Sequence, residues 1–146
     1  DISLVKGVSS HEGWKITDEN HPLIGTYGLG PCIAIAGRDK KTQTAFLTHN
    51  VPYKNLEKVN TPILNELKRK GINLNNLELY LIGGNEFYKN HVNSITDYLN
   101  EKIENPKIFY ADLIEESDPK GLGKSFILDS RDGTFYCHDG LRRFEK

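Results

Sequence analysis

The chain predicts an α+β domain built on mixed sheets, with helices covering the sheet faces. Three observations carry this expectation. Short apolar runs, Cys32 to Gly37, Gln43 to Thr48 and Leu77 to Ile82, have strand length and are bounded by turn residues. Two longer segments repeat their apolar residues every three or four positions, one ending at Gly71 and one running through Tyr88, Val92, Ile95, Leu99 and Ile103. A third signal lies near the C-terminus, where Ser125 to Leu128 and Thr134 to Cys137 flank an Asp132-Gly133 turn and read as a hairpin.

Taken in order, Ile2 to Val8 alternates as a strand does, and Ser9 to Gly25 is polar, with Trp14, Ile16, Leu23 and Ile24 as its anchors. That stretch reads as loop with one short strand. Cys32 to Gly37 is small and continuously apolar, as a strand buried on both faces requires. Arg38 to Thr42 is the turn, and Gln43 to Thr48 returns antiparallel. The first helix is expected to start at Thr61 as N-cap with Pro62 in its first turn, where a missing N–H costs nothing. Ile63, Leu64 and Leu67 form its inward face, Lys68, Arg69 and Lys70 suit its C-terminal dipole, and Gly71 ends it. Leu77 to Ile82 stops at Gly83-Gly84-Asn85, the second helix follows, and Pro106 closes it. Lys107 to Tyr110 is a short strand, and Asp112 to Gly123 a polar loop with the acidic run Glu115, Glu116 and Asp118. No repeat or low-complexity segment divides the chain, so residues 1–146 read as one domain.

Composition narrows the function classes. A net charge of -1 gives no electrostatic basis for nucleic acid or an anionic membrane as partner. No apolar run approaches the roughly 20 residues of a membrane span. The residues from Asp1 lack the pattern of a signal peptide, although a chain without Met is compatible with a removed leader. Cys32 and Cys137 are the only cysteines, which is no disulfide framework and no zinc-type pair. Free thiols fit a reducing cytoplasm, and the expectation is a cytoplasmic protein.

The chemistry centres on Cys32. Thr26 stands six residues before it and His49 seventeen after it, at the end of the returning strand. Antiparallel pairing brings the cysteine and histidine to the same end of a sheet. A thiol reacts as thiolate, and its unperturbed pKa of about 8.5 leaves little thiolate at neutral pH. An adjacent imidazole removes the proton and later returns it to a leaving group. That imidazole needs a third group to aim it, for which Thr26 is the candidate. Gly30 lets the backbone approach a substrate, the N–H of Cys32 is a donor for an oxyanion, and Pro31 has none to offer. Gly83, Gly84 and Asn85 are a second candidate wall, with Asn85 placed to bond an amide. Singly these residues are weak signals, since a lone cysteine is more often a small core residue. His11, His21 and His91 have no partner legible in the sequence, and Cys137-His138 has no metal-site spacing.

Together these residues resemble a family. The run Thr26-Tyr-Gly-Leu-Gly-Pro-Cys32, with His49 closing the next strand, is similar to the motif of the bacterial chemoreceptor glutamine deamidases of the CheD family. Leu81-Ile-Gly-Gly-Asn85 and Gly123-Lys-Ser-Phe-Ile-Leu-Asp129 resemble two further segments of that family, so the likeness runs from about residue 2 to residue 138. It implies a CheD-like cysteine hydrolase fold, two mixed β-sheets packed together with helices outside in α/β/β/α layers. It implies Cys32 as nucleophile, His49 as base and acid and Thr26 as its orienter, acting on glutamine side chains of a protein with no metal or cofactor. Chemoreceptor cytoplasmic regions are the implied substrate and a chemotaxis phosphatase an implied partner. Pro31 in place of serine, Asn50-Val51 in place of an apolar pair and Lys124 in place of arginine depart from the family. Those departures leave a host protein as another substrate, and a non-catalytic binding module or a small amidase or protease as other functions.

Overall fold

The computed structural model describes residues 2–9, 13–29, 32–52, 55–84, 89–110 and 124–139. Among these residues it is α+β, with two mixed sheets and two α-helices. The first sheet has four strands, β1 (Val5–Gly7), β3 (Leu23–Leu29), β8 (Lys124–Asp129) and β9 (Phe135–Asp139), in the order β1-β3-β8-β9. The second has five, β2 (Trp14–Ile16), β5 (Thr44–Asn50), β4 (Ile33–Asp39), β6 (Glu78–Gly83) and β7 (Lys107–Tyr110), in the order β2-β5-β4-β6-β7. Among the described strands, the pairs are antiparallel except β1–β3 and β6–β7, which are parallel. The second follows from the crossover through α2 (Lys89–Lys102), which is too long a connection for a hairpin.

The period of two along β4, β5 and β6 divides the core. Ile33, Ile35, Phe46, Leu79 and Leu81 face α1 (Leu56–Arg69) and α2, meeting Ile63, Leu64, Leu67, Ile95, Tyr98 and Leu99. Ala34, Ala36, Ala45, Leu47 and Ile82 face the other way, onto Ile24, Leu29, Phe126 and Leu128 of the four-stranded sheet. The five-stranded sheet is therefore the middle layer, which is why β4 is buried at every residue. Both helices cover its outer face. A helix outside the four-stranded sheet, as α/β/β/α layering requires, is not among the described residues.

Several expectations need correction. Ile2–Leu4 forms a 3₁₀ turn, so the first strand begins only at Val5. The seven-residue strand β3 was unread because Gly25 and Gly28 weaken its strand pattern. A Cβ on Gly25 would lie 2.7 Å from the Phe126 carbonyl oxygen and from Ile127 Cγ1, so neighbouring β8 demands the glycine. Helix α1 starts at Leu56, capped by Asn55 whose side chain accepts from Glu57 N–H, and not at Thr61. Pro62 therefore sits inside the helix, exposed, and leaves the Lys58 carbonyl without its intrahelical donor. Tertiary contacts favour the longer helix. Asn60 is drawn into the sheet, and Thr61 bonds Tyr98 of α2 at 2.9 Å. The C-terminal end is as expected, with Gly71 at φ +83° and Ile72 N–H bonded to the Leu67 carbonyl at 3.0 Å. The expected loop from Asp112 to Gly123 lies outside the described residues.

Gly37 is required in β4 because the Phe46 ring of β5 lies across it in register, in the place where a side chain would stand. Gly37→Ala is expected to cost about 1–3 kcal/mol through this overlap, read as a lowered denaturant midpoint with unchanged slope.

Candidate active site

The β4–β5 register sets the site. Ala34 pairs with His49, and Ile33 with Asn50, at the last rung of the ladder. Cys32 stands one residue before β4 and packs against the same inter-sheet cluster as Ala34, on the face of β5 that carries His49. Thr26 reaches the same space from β3 in the opposite sheet. The structure thus brings the expected Thr26 and His49 into contact, and places the Cys32 side chain on their side of the central sheet, half-buried and as a free thiol.

Thr26 Oγ1 is 2.9 Å from His49 Nδ1 and 2.6 Å from the carbonyl oxygen of Val8. A carbonyl has no proton, so the threonine hydroxyl must donate to Val8 and accept from the ring. Neutral His49 therefore carries its proton on Nδ1, and its lone pair sits on Nε2. This assignment comes from the hydrogen-bond count. The same bond survives protonation of Nε2, so the ring keeps one orientation in both protonation states. His49 is further anchored by its backbone N–H, which donates to the Gly13 carbonyl at 2.9 Å. Val8 and Gly13 have no chemical side chain and gave no sequence signal, because their role is carried by backbone carbonyls.

Burial disfavours the charged form of both side chains. Burial pushes the Cys32 thiol above its ordinary value and the His49 imidazole below its own, and neither group shifts the other. Thr26 bears no charge to offset an imidazolium. Any base function of the ring would rest on Nε2, the nitrogen left with the lone pair.

Gly83 and Gly84, at φ +95° and +82°, let β6 turn against the Cys32 backbone. Gly84 N–H donates to the Cys32 carbonyl at 2.9 Å and is thereby occupied. A Cβ on Gly83 would stand 2.5 Å from that carbonyl oxygen and 2.9 Å from Leu29 Cβ. These glycines position the cysteine, which their sequence pattern did not disclose. Gly30 and Asn85 lie outside the described residues. His91 has a partner after all, the Asn50 carbonyl at 3.1 Å, and His21 bonds Asp18. Among the described residues no group of three or more His, Cys, Asp or Glu is arranged to hold a metal ion, and no helix is long and apolar enough to cross a membrane.

No protein-family model and no curated protein matches the chain. Among solved structures it is similar to the hypothetical protein YfiH of Bacillus licheniformis, at 10% identity and a TM-score of 0.42. The match covers 53% of this chain, and it spans only 35% of the YfiH chain.

The two shifts give a pH signature. Alkylation of Cys32 should show an acid limb below the ordinary imidazole value of about 6.5, a neutral plateau, and a rise above the ordinary thiol value. A rate that simply tracks one thiol ionisation would argue against proton transfer to His49. Stability should also fall in acid. His49 and His91 have folded values held below their unfolded ones, so the unfolded chain binds more protons as pH drops through about 6.5. Thermal midpoints measured across that range check the sign. Gly83→Ala should lower both stability and Cys32 reactivity, because strained φ and the blocked carbonyl act on the same backbone.

Proposed function

We propose that this chain is a cysteine-dependent protein glutamine deamidase. The observation that carries the reading is the Nδ1–H tautomer of His49, held by Thr26, on the same face of the central sheet as Cys32. In the reaction, Cys32 Sγ attacks the carboxamide carbon of a glutamine while Nε2 takes the thiol proton. The Cys32 N–H faces the developing oxyanion. Collapse breaks the C–N bond, and His49 returns the proton so that ammonia leaves and a thioester remains. His49 then draws a proton from water, whose oxygen attacks the thioester and releases glutamate with the thiol restored. Gly83 and Gly84 serve by holding the Cys32 backbone, and the substrate contacts expected of Gly30 and Asn85 fall outside the described residues. The scheme needs no metal and no cofactor.

Resemblance in the Thr26–His49 segment makes the cytoplasmic region of a chemoreceptor the first candidate substrate, with a chemotaxis phosphatase as partner and the bacterial cytoplasm as compartment. A host protein met by a secreted effector is the other candidate. The fold corresponding to that family would add a helical layer outside the four-stranded sheet. One observation favours a second reading. The thiol is pushed toward its unreactive form, as suits a binding module that keeps the fold and docks without chemistry.

Peptide spectra of receptor cytoplasmic fragments and of host-cell lysate, after incubation with the protein, separate the readings. A deamidase adds about one dalton at particular glutamines, and Cys32→Ala abolishes the change without loss of folding. Thr26→Val should slow it by roughly ten- to a hundredfold, since the base loses its orientation. Cleaved peptide backbones would indicate a protease instead. Unmodified glutamines in both pools, with Cys32 inert to alkylation, would leave the binding module.

A further inference from the structure

The reverse face of the strands bearing Cys32 and His49 holds a polar assembly that the scheme above leaves unused. Asn50 follows His49, so its side chain leaves β5 toward the helices, and the residue is 1% exposed. Its Nδ2 donates to the Ile33 carbonyl at 3.1 Å and to Thr48 Oγ1 at 2.9 Å, with the Thr48 carbonyl a further acceptor at 3.3 Å. Thr48 Oγ1 donates to Asn60 Oδ1 at 2.7 Å. Asn60 Nδ2 in turn donates to Asn50 Oδ1 at 2.8 Å and to the Leu56 carbonyl at 2.9 Å. The three side chains close a ring in which the hydroxyl proton and both protons of each carboxamide are placed. Turning either amide over would set like groups against each other, so the ring has one orientation.

The location of this ring matters more than its existence. The Ile33–Asn50 rung is the last of the β4–β5 ladder, and the chain leaves pairing at Cys32. Strand ends open most readily, and here an opening changes the distance from thiol to imidazole. Asn50 closes that end by bonding the carbonyl of the residue after the cysteine, while Gly84 N–H holds the carbonyl of the cysteine itself. Helices fix Asn50 from two sides, α1 through Asn60 and α2 through His91 Nε2–H on the Asn50 carbonyl.

We propose that Asn50 is the positioning residue of the Cys32–His49 pair, strapping the end of β5 to the strand end that carries the nucleophile. The inference rests on the reading of Cys32 as a nucleophile activated by His49. A misplacement of about 1 Å costs a reaction about a hundredfold, so a side chain that never touches substrate can govern the rate.

The test is the rate of Cys32 alkylation by iodoacetamide in the full chain, resolved by peptide from Cys137, from about pH 5 to 8. Wild type should show a neutral plateau that His49→Ala abolishes. Folded Asn50→Leu should lose that plateau, with a neutral rate about tenfold or more below wild type. Thr61→Val, which loosens α1 from α2 without touching Asn50, should keep it. Nitrogen-15 spectra of the His49 ring should still show Nδ1–H in Asn50→Leu, because the Thr26 bond lies on the other face. If Asn50→Leu does not fold, Asn60→Leu frees the same carboxamide and should show a smaller loss in the same direction. A wild-type plateau in either folded variant overturns the inference, as does an equal loss in Thr61→Val. A wild-type rate identical to that of His49→Ala removes the nucleophile reading itself, and the inference with it.

Discussion

The pairing of β4 with β5 is the constraint on which the rest of the structure depends. It forms the middle of the central layer, and its register decides what each face holds. With Ala34 opposite His49, the small residues and the histidine look into the space between the sheets, and the large aliphatic residues look toward the helices. A slip of one residue would send His49 among the helices and Asn50 into the inter-sheet space. Phe46 seated over Gly37 opposes such a slip, because no other residue of β4 leaves room for that ring. Arg38 adds a second lock. It is buried, and its Nε and Nη2 donate to the carbonyls of Ser130 and Arg131 in the β8–β9 turn, fixing one sheet relative to the other.

That relation between sheets carries the chemistry, since the proposed site is assembled from both. The base comes from the five-stranded sheet, its orienting hydroxyl from the four-stranded one. The hydroxyl's proton goes to a carbonyl just beyond the short parallel strand β1. Lys6 of β1 bonds the Ile16 carbonyl of β2 at 2.9 Å and pairs with Asp18 at 2.7 Å, which joins the two sheets again at that edge. An exposed ion pair contributes little to stability. Its consequence here is alignment, because the neighbouring residues Val8 and Gly13 present the carbonyls that hold Thr26 and His49.

Neutrality distinguishes this pair from one supported by a carboxylate. Burial disfavours both thiolate and imidazolium, and a threonine cannot stabilise either charge. Under the proposed function, the reactive form would arise together with substrate and depend on geometry more than on a standing ion pair. Such a site places weight on the precision of its backbone. The hydrogen bond from Gly84 to Cys32 and the saturated ring through Asn50, Thr48 and Asn60 supply that precision from behind.

Local signals were enough for the order of most elements, β3 excepted. The short apolar runs, the Asp132-Gly133 turn, the Gly71 stop and the spacing of Val92, Ile95 and Leu99 each act within a few residues, so the sequence discloses them directly. Thr26, Cys32 and His49 were legible for a related reason. Their side chains are of reactive types, and two of them flank a single hairpin. Strand β3, the early start of α1 and the work of Gly83, Val8, Gly13 and Asn50 were not legible. Each depends on a partner far along the chain, on the β8 backbone at Gly25 or on the sheet beneath Asn60. The polar residues at 48 and 50, recurring on one face of an apolar strand, were the one available hint. Sequence by itself determined which groups could react. Tertiary structure decided which nitrogen of His49 carries the proton, because that turns on a single hydroxyl proton claimed by the carbonyl of Val8.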